Sequence, residues 1–165
     1  MKLFDAVDEG ILLTNSDLIL LDANKWVETQ LRQERSQLQG KKLEDIFEEL
    51  NVLLLKRRIK TALLLKEKTY FHYESMPYIF KMSPLGITAS HLSVMYQNIT
   101  IVPRNDDEVY VIIYDKTTEA LSSLNEQKYL HHLQSLNTTL HEYVTTLDQS
   151  VMTITTDLSG TILSV

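Results

Sequence analysis

Val109-Tyr110-Val111-Ile112-Ile113-Tyr114-Asp115-Lys116-Thr117 is the stretch on which the reading of this chain turns. Six β-prone residues in a row predict a strand, and Asp115-Lys116-Thr117 ends it in residues suited to starting a helix. Upstream, Leu92 to Val102 is also β-prone, Pro103 closes it, and Arg104 to Asp107 supplies a turn, so two strands form a hairpin. Thr69 to Glu74, with Tyr70, Phe71 and Tyr73, predicts a strand before that hairpin. Met76 to Ser90 holds Pro77, Pro84 and Gly86 and reads mostly as loop. Near the N-terminus, Ile11 to Thr14 and Leu18 to Leu21 predict two strands around the turn Asn15-Ser16-Asp17. Leu3, Phe4 and Val7 are expected to share one helical face before them.

Helices fill the middle. Asp22-Ala23-Asn24 offers a helix start, and Trp26, Val27 and Leu31 give a short helix its apolar side. Gln33 to Gln39 is polar and reads as loop, Gly40 punctuates it, and Leu43, Ile46, Phe47 and Leu50 follow at helical spacing. From Asn51 to Lys68, Val52, Leu55, Ile59, Ala62 and Leu63 form an apolar stripe opposite Lys56, Arg57 and Lys60. Two strands, several helices, then three strands predict an α+β domain: an antiparallel sheet covered on one face by helices.

Downstream of Asp115, no Gly or Pro occurs up to Ser159, which predicts a long helix. Leu133, Leu136, Leu140, Tyr143 and Leu147 recur in alternating three- and four-residue steps, the seam of a coiled coil. Leu121 and Leu124 are out of phase with that seam, so its register shifts between Leu124 and Tyr129. An amphipathic helix lying back on its own domain is the alternative. Beyond it, Leu147 to Leu158 aligns with Val7 to Leu18: Asp148 meets Asp8, Val151 meets Ile11 and Asp157 meets Asp17. Past that turn the later copy has two extra residues, Gly160 among them, before Ile162 meets Leu20. The chain therefore reads as a domain at 1–115, a linker at 116–148, and at 149–165 the truncated start of a second copy.

Composition narrows the function. Hydrophobic residues make up 44%, enough for a packed core, and the net charge of −6 argues against a nucleic-acid partner. The absence of cysteine removes disulfides, thiolate catalysis and any cysteinyl chromophore adduct, and fits a reducing compartment. The apolar runs, such as Val52 to Leu55, are too short to span a bilayer, and the first residues do not show the basic stretch and apolar core of a signal peptide.

With these elements in place, the chain resembles a PAS sensor domain, followed by a signalling helix and the opening of a second PAS domain. The likeness rests on the strand pair Ile11 to Leu21, Asn24, Gly40-Lys41-Lys42-Leu43-Glu44-Asp45-Ile46-Phe47, Asp115-Lys116-Thr117, and Thr156-Asp157-Leu158-Ser159-Gly160-Thr161-Ile162. It implies a five-stranded antiparallel sheet with helices walling a small cavity, to which Trp26, Phe47, Ile59, Leu63, Tyr73 and Met95 are assigned. It also implies that Asp115 and Thr117 join sheet to helix; both suit a cap, since their side chains can accept from free backbone N–H groups.

Catalytic motifs are absent: the sequence has no phosphate-binding Gly-rich loop, no H-E-x-x-H and no nucleophile elbow. His131-His132 precedes Leu133 rather than an acidic residue and reads as solvated helix. Without cysteine, thiol-adduct flavin chemistry is excluded. The resemblance implies that a haem would take its axial histidine from the long helix; Asn51 to Lys68 holds none, which disfavours haem and leaves His72 and His91 as the candidate ligands. A non-covalent flavin stacked on Trp26, another small molecule, or no ligand stays open; no metal site is expected. Lys56, Arg57, Arg58 and Lys60 read as a solvated face. The expectation is a cytoplasmic, bacterial-type sensory module, itself non-catalytic, that forms a homodimer through its linker and relays a signal to a histidine kinase or diguanylate cyclase domain. A constitutive dimerisation module without ligand is the alternative.

Overall fold

The computed structural model describes residues 3–84 and 92–153. Five strands, β1 (Gly10–Asn15), β2 (Leu20–Ala23), β3 (Thr69–Phe71), β4 (Gln97–Pro103) and β5 (Glu108–Asp115), form one sheet in the order β2-β1-β5-β4-β3. Every neighbouring pair is antiparallel. Helices α1 (Lys25–Leu31), α2 (Arg35–Leu38), α3 (Leu43–Ile46) and α4 (Val52–Leu65) lie between β2 and β3 in sequence, and α5 (Thr117–Thr153) follows β5. The α+β architecture expected from the order of elements is the one observed.

Side chains alternate across a strand, and here the alternation separates two faces. Leu12, Phe71, Ile99, Ile101, Val109, Val111 and Ile113 turn into one core, which they share with Val27 of α1, Leu43 of α3 and Leu55, Ile59 and Ala62 of α4. The buried residues of α4 are three of the five on the predicted stripe; Val52 and Leu63 sit half-buried at its margins, while Lys56, Arg57 and Lys60 are exposed. Burying such a stripe, at roughly 25 cal/mol per Å² of apolar surface, is what fixes the helix to the sheet.

Several boundaries differ from the sequence reading, each for a local reason. The N-terminal helix is a single 3-10 turn, Leu3–Asp5, and Val7 is exposed. Asp22 and Ala23 belong to β2, and Asn24 alone caps α1, accepting from Val27 N–H. The predicted loop 33–39 contains α2, held by a capping box in which Glu34 and Gln37 reciprocally satisfy backbone N–H groups. Helix α4 stops at Leu65 because Lys66 adopts the left-handed region, φ 55°. Strand β3 ends at Phe71, and β4 begins at Gln97 rather than Leu92. Helix α5 runs to Thr153, past residue 148, the expected end of the linker. Residues 154–165, with most of the proposed second copy, and 85–91, with His91, lie outside the described residues.

The chain divides into two units between Ala120 and Leu121. The first four residues of α5, Thr117 to Ala120, therefore belong to the sheet domain, and Ala120 is buried there. No helix among the described residues is long and apolar enough to cross a membrane.

Candidate functional site

Of the six residues assigned to the interior, Phe47 and Ile59 are fully enclosed in the common core, with Leu63 and Trp26 packed at its edge. Met95 is also buried. Tyr73 falls outside that cluster: it follows the end of β3, its N–H donates to Asn98 Oδ1 at 3.0 Å, and its ring meets Tyr96 edge-on at 6.2 Å. Trp26 does not present a free face to a flavin-like ring on the Gly10 side. A Cβ on Gly10 would lie 2.7 Å from Trp26 Cε3 and 3.2 Å from Ile113 Cβ, so the indole rests against bare backbone that only glycine provides.

The decisive interior side chain is one the sequence reading did not select. The stretch 77–82 is irregular, as Pro77 and Pro84 predict, yet it lays Ile79, Phe80 and Met82 into the core, and the Phe80 and Phe47 rings stand 4.7 Å apart at 55°. Phe80 is fully buried. A loop can enter a core only if its backbone polar groups find partners. Gln97, itself buried, supplies them: its Oε1 accepts from Ile79 N–H (3.3 Å) and Phe80 N–H (3.2 Å), and its Nε2 donates to Phe80 O (2.6 Å). Backbone bonds from Gln97 N–H to Pro77 O (2.9 Å) and Met95 N–H to Met82 O (2.7 Å) complete the strap. One signal in the sequence pointed to Gln97. In the alternation Met95, Gln97, Ile99, Ile101 it is an amide in the apolar phase, and a buried amide needs partners. Phe80 sits among prolines without periodicity and gave no comparable sign.

Asp115 and Thr117 are brought together at the start of α5. Asp115 Oδ1 accepts from Thr117 N–H at 2.9 Å, and Thr117 Oγ1 accepts from Tyr96 N–H at 3.1 Å. Lys116 N–H donates to Tyr96 O at 2.8 Å. Thr117 is buried, so its hydroxyl serves Tyr96, the residue just before β4, rather than water. The first turn of α5 is thus tied to the strand next to β5 by side chain and backbone together.

The remaining charges are peripheral. Lys81, at the end of the strap, pairs with Glu49 at 2.6 Å, and that hydrogen bond raises its ammonium pKa. Asp106 is held below its usual range by its hydrogen bond from Lys66. Arg35 N–H donates to Glu28 at 2.7 Å and is the main reason that Glu28 titrates below an ordinary glutamate. Arg58 stacks over Phe71 at 5.2 Å. His72 is exposed on a turn and does not fit an axial ligand for a haem in the interior. Among the described residues no group of three or more His, Cys, Asp or Glu gathers to hold a metal.

In the second unit, Leu133, Leu136, Leu140, Tyr143 and Leu147 are 43–65% exposed in the single chain. Five large apolar groups on one helical seam, all accessible to solvent, form an unpartnered surface. His131 and His132 are exposed beside it.

No family model matches this chain, and no curated protein matches it. Solved structures do. A sensory box sensor histidine kinase from Vibrio cholerae aligns at TM-score 0.50 with 23% identity, over 69% of this chain and 86% of that one. The PAS domain of a protein from Colwellia psychrerythraea aligns at TM-score 0.51 with 18% identity, over 71% and 93%. The photoactive yellow protein domain of the sensor histidine kinase Ppr from Rhodospirillum centenum aligns at 0.53 with 10% identity, over 70% and 98%. At these identities the likeness is one of architecture, and it agrees with the strand order and the helices between β2 and β3: the chain has a PAS fold.

Proposed function

We propose that this chain is the sensory PAS module of a cytoplasmic, bacterial-type signalling protein, non-catalytic in itself. Two copies pair in parallel along α5, and a change in the sheet domain passes through Asp115 and Thr117 into the helix and on to a histidine kinase or diguanylate cyclase domain. The observation that carries this reading is the pairing of two features on one helix. Its first turn is fastened to β4 through Tyr96, and its later turns expose an apolar seam at heptad spacing. The likeness to domains of sensor histidine kinases supports the same reading.

Sedimentation equilibrium at micromolar concentration tests the pairing. The chain sediments as a dimer and Leu136→Glu as a monomer; a monomeric parent chain, or a dimer indifferent to Leu136→Glu, contradicts it. A second reading is a constitutive dimerisation module that senses nothing, and the burial of Phe80 against Phe47 favours it, because side chains already fill that part of the interior. Under this reading small molecules leave the pairing of α5 unchanged.

A further inference from the structure

The residues 95–97 stand between the strap and the exit helix, and extended backbone explains how they serve both. Successive N–H groups of extended chain point to opposite sides. Met95 and Gln97 donate to Met82 O and Pro77 O on the strap, whereas Tyr96 donates to Thr117 Oγ1 and accepts from Lys116 N–H. Gln97 is also paired with Asp115 in the β4–β5 ladder, next to the cap.

We propose that Gln97 is a positioning residue that couples the strap to the junction: withdrawal of Phe80 from the interior loosens the grip of Tyr96 on the first turn of α5. Gln97 uses its amide on the Ile79–Phe80 backbone and its own N–H on Pro77, so the strap cannot leave without freeing 95–97 on that side. Held from one side only, the stretch opens more readily, and the bonds that open with it are those of Tyr96 to the first turn of α5. The inference rests on the proposed relay, but it concerns contacts within one chain and needs neither a dimer nor an output domain.

Amide hydrogen exchange on the full chain, resolved by residue, reads it directly. In Gln97→Leu, which keeps bulk and removes the amide, Ile79 and Phe80 exchange faster. Tyr96 and Lys116, whose own hydrogen bonds do not involve the Gln97 side chain, also rise by about tenfold or more while Leu12 in β1 stays unchanged. Acceleration confined to the strap overturns the proposal. The unmodified chain provides a second measurement if Gln97→Leu does not fold. At low denaturant the strap and junction amides share one opening free energy, below that of Leu12; separate opening energies for the two groups overturn the coupling. A monomeric chain that still shows shared opening supports the coupling and counts against pairing through α5, so the two ideas fail separately.

Discussion

At the scale of single residues, buried polar side chains set much of the specificity of this domain. Asn24 is fully buried and uses both ends of its amide: Oδ1 accepts from Ile11 N–H (3.0 Å) and Val27 N–H (3.3 Å), and Nδ2 donates to Glu9 O (2.8 Å) and Phe4 O (3.2 Å). It therefore caps α1, steadies the edge of β1 and holds the N-terminal turn at once. Asn24→Ala removes a cap and strands buried groups, and is expected to cost about 2–4 kcal/mol by urea denaturation. Glu28 gives a prediction with a pH sign. Its carboxylate is lowered in the folded state, chiefly by Arg35 N–H, so its contribution is present above the ordinary glutamate range and is lost as the pH falls through its folded value. Glu28→Gln should be less stable than the parent at pH 7, with the gap closing in acid; a gap of equal size at pH 3 would contradict the assignment. The sequence pointed to Asn24 as a helix start because an Asx residue before an apolar-periodic segment is a cap signature. It did not show the two carbonyls that the same side chain reaches, since those depend on where the N-terminal turn comes to rest.

At the scale of elements, legibility followed periodicity. The stripe on α4 and the run in β5 are long enough for burial to dominate, and both elements formed over the apolar residues of the pattern, with α4 stopping at Leu65. Helix α2 has one buried residue, Leu38, and is held by its capping box, so no apolar period announces it. The strap was missed for a related reason. Prolines and the lack of alternation mark it as irregular, but irregular backbone can enter a core when one side chain satisfies it, as Gln97 does. Phe47 and Ile59, assigned to a cavity wall, are core positions, and nothing in their spacing could show that Phe80 would lie against Phe47. Phe80→Ala is expected to lose about 3–5 kcal/mol of stability in chemical denaturation if the space stays empty, and less if neighbouring side chains collapse into it. Binding of an apolar aromatic probe by Phe80→Ala, absent in the parent, would mark that space as able to hold a ligand.

At the scale of the whole molecule, the chain joins a unit that is complete in its core to a helix that is not. Ala120 is buried in the sheet domain, whereas every residue of the seam beyond Tyr129 is exposed. The register break predicted between Leu124 and Tyr129 follows closely on the unit boundary between Ala120 and Leu121. An exposed seam of this length is a cost to a solitary helix and a source of stability to a paired one. A parallel pair would place equivalent seam positions side by side. Because the chain has no cysteine, single cysteines report on that geometry without background. Oxidative cross-linking of Leu133→Cys, Leu140→Cys and, as an off-seam control, Thr138→Cys therefore tests parallel pairing. Pairing along α5 gives rapid disulfide-linked dimers at positions 133 and 140 and slow or no linkage at 138; no linkage at the seam, or equal linkage at all three, would contradict it.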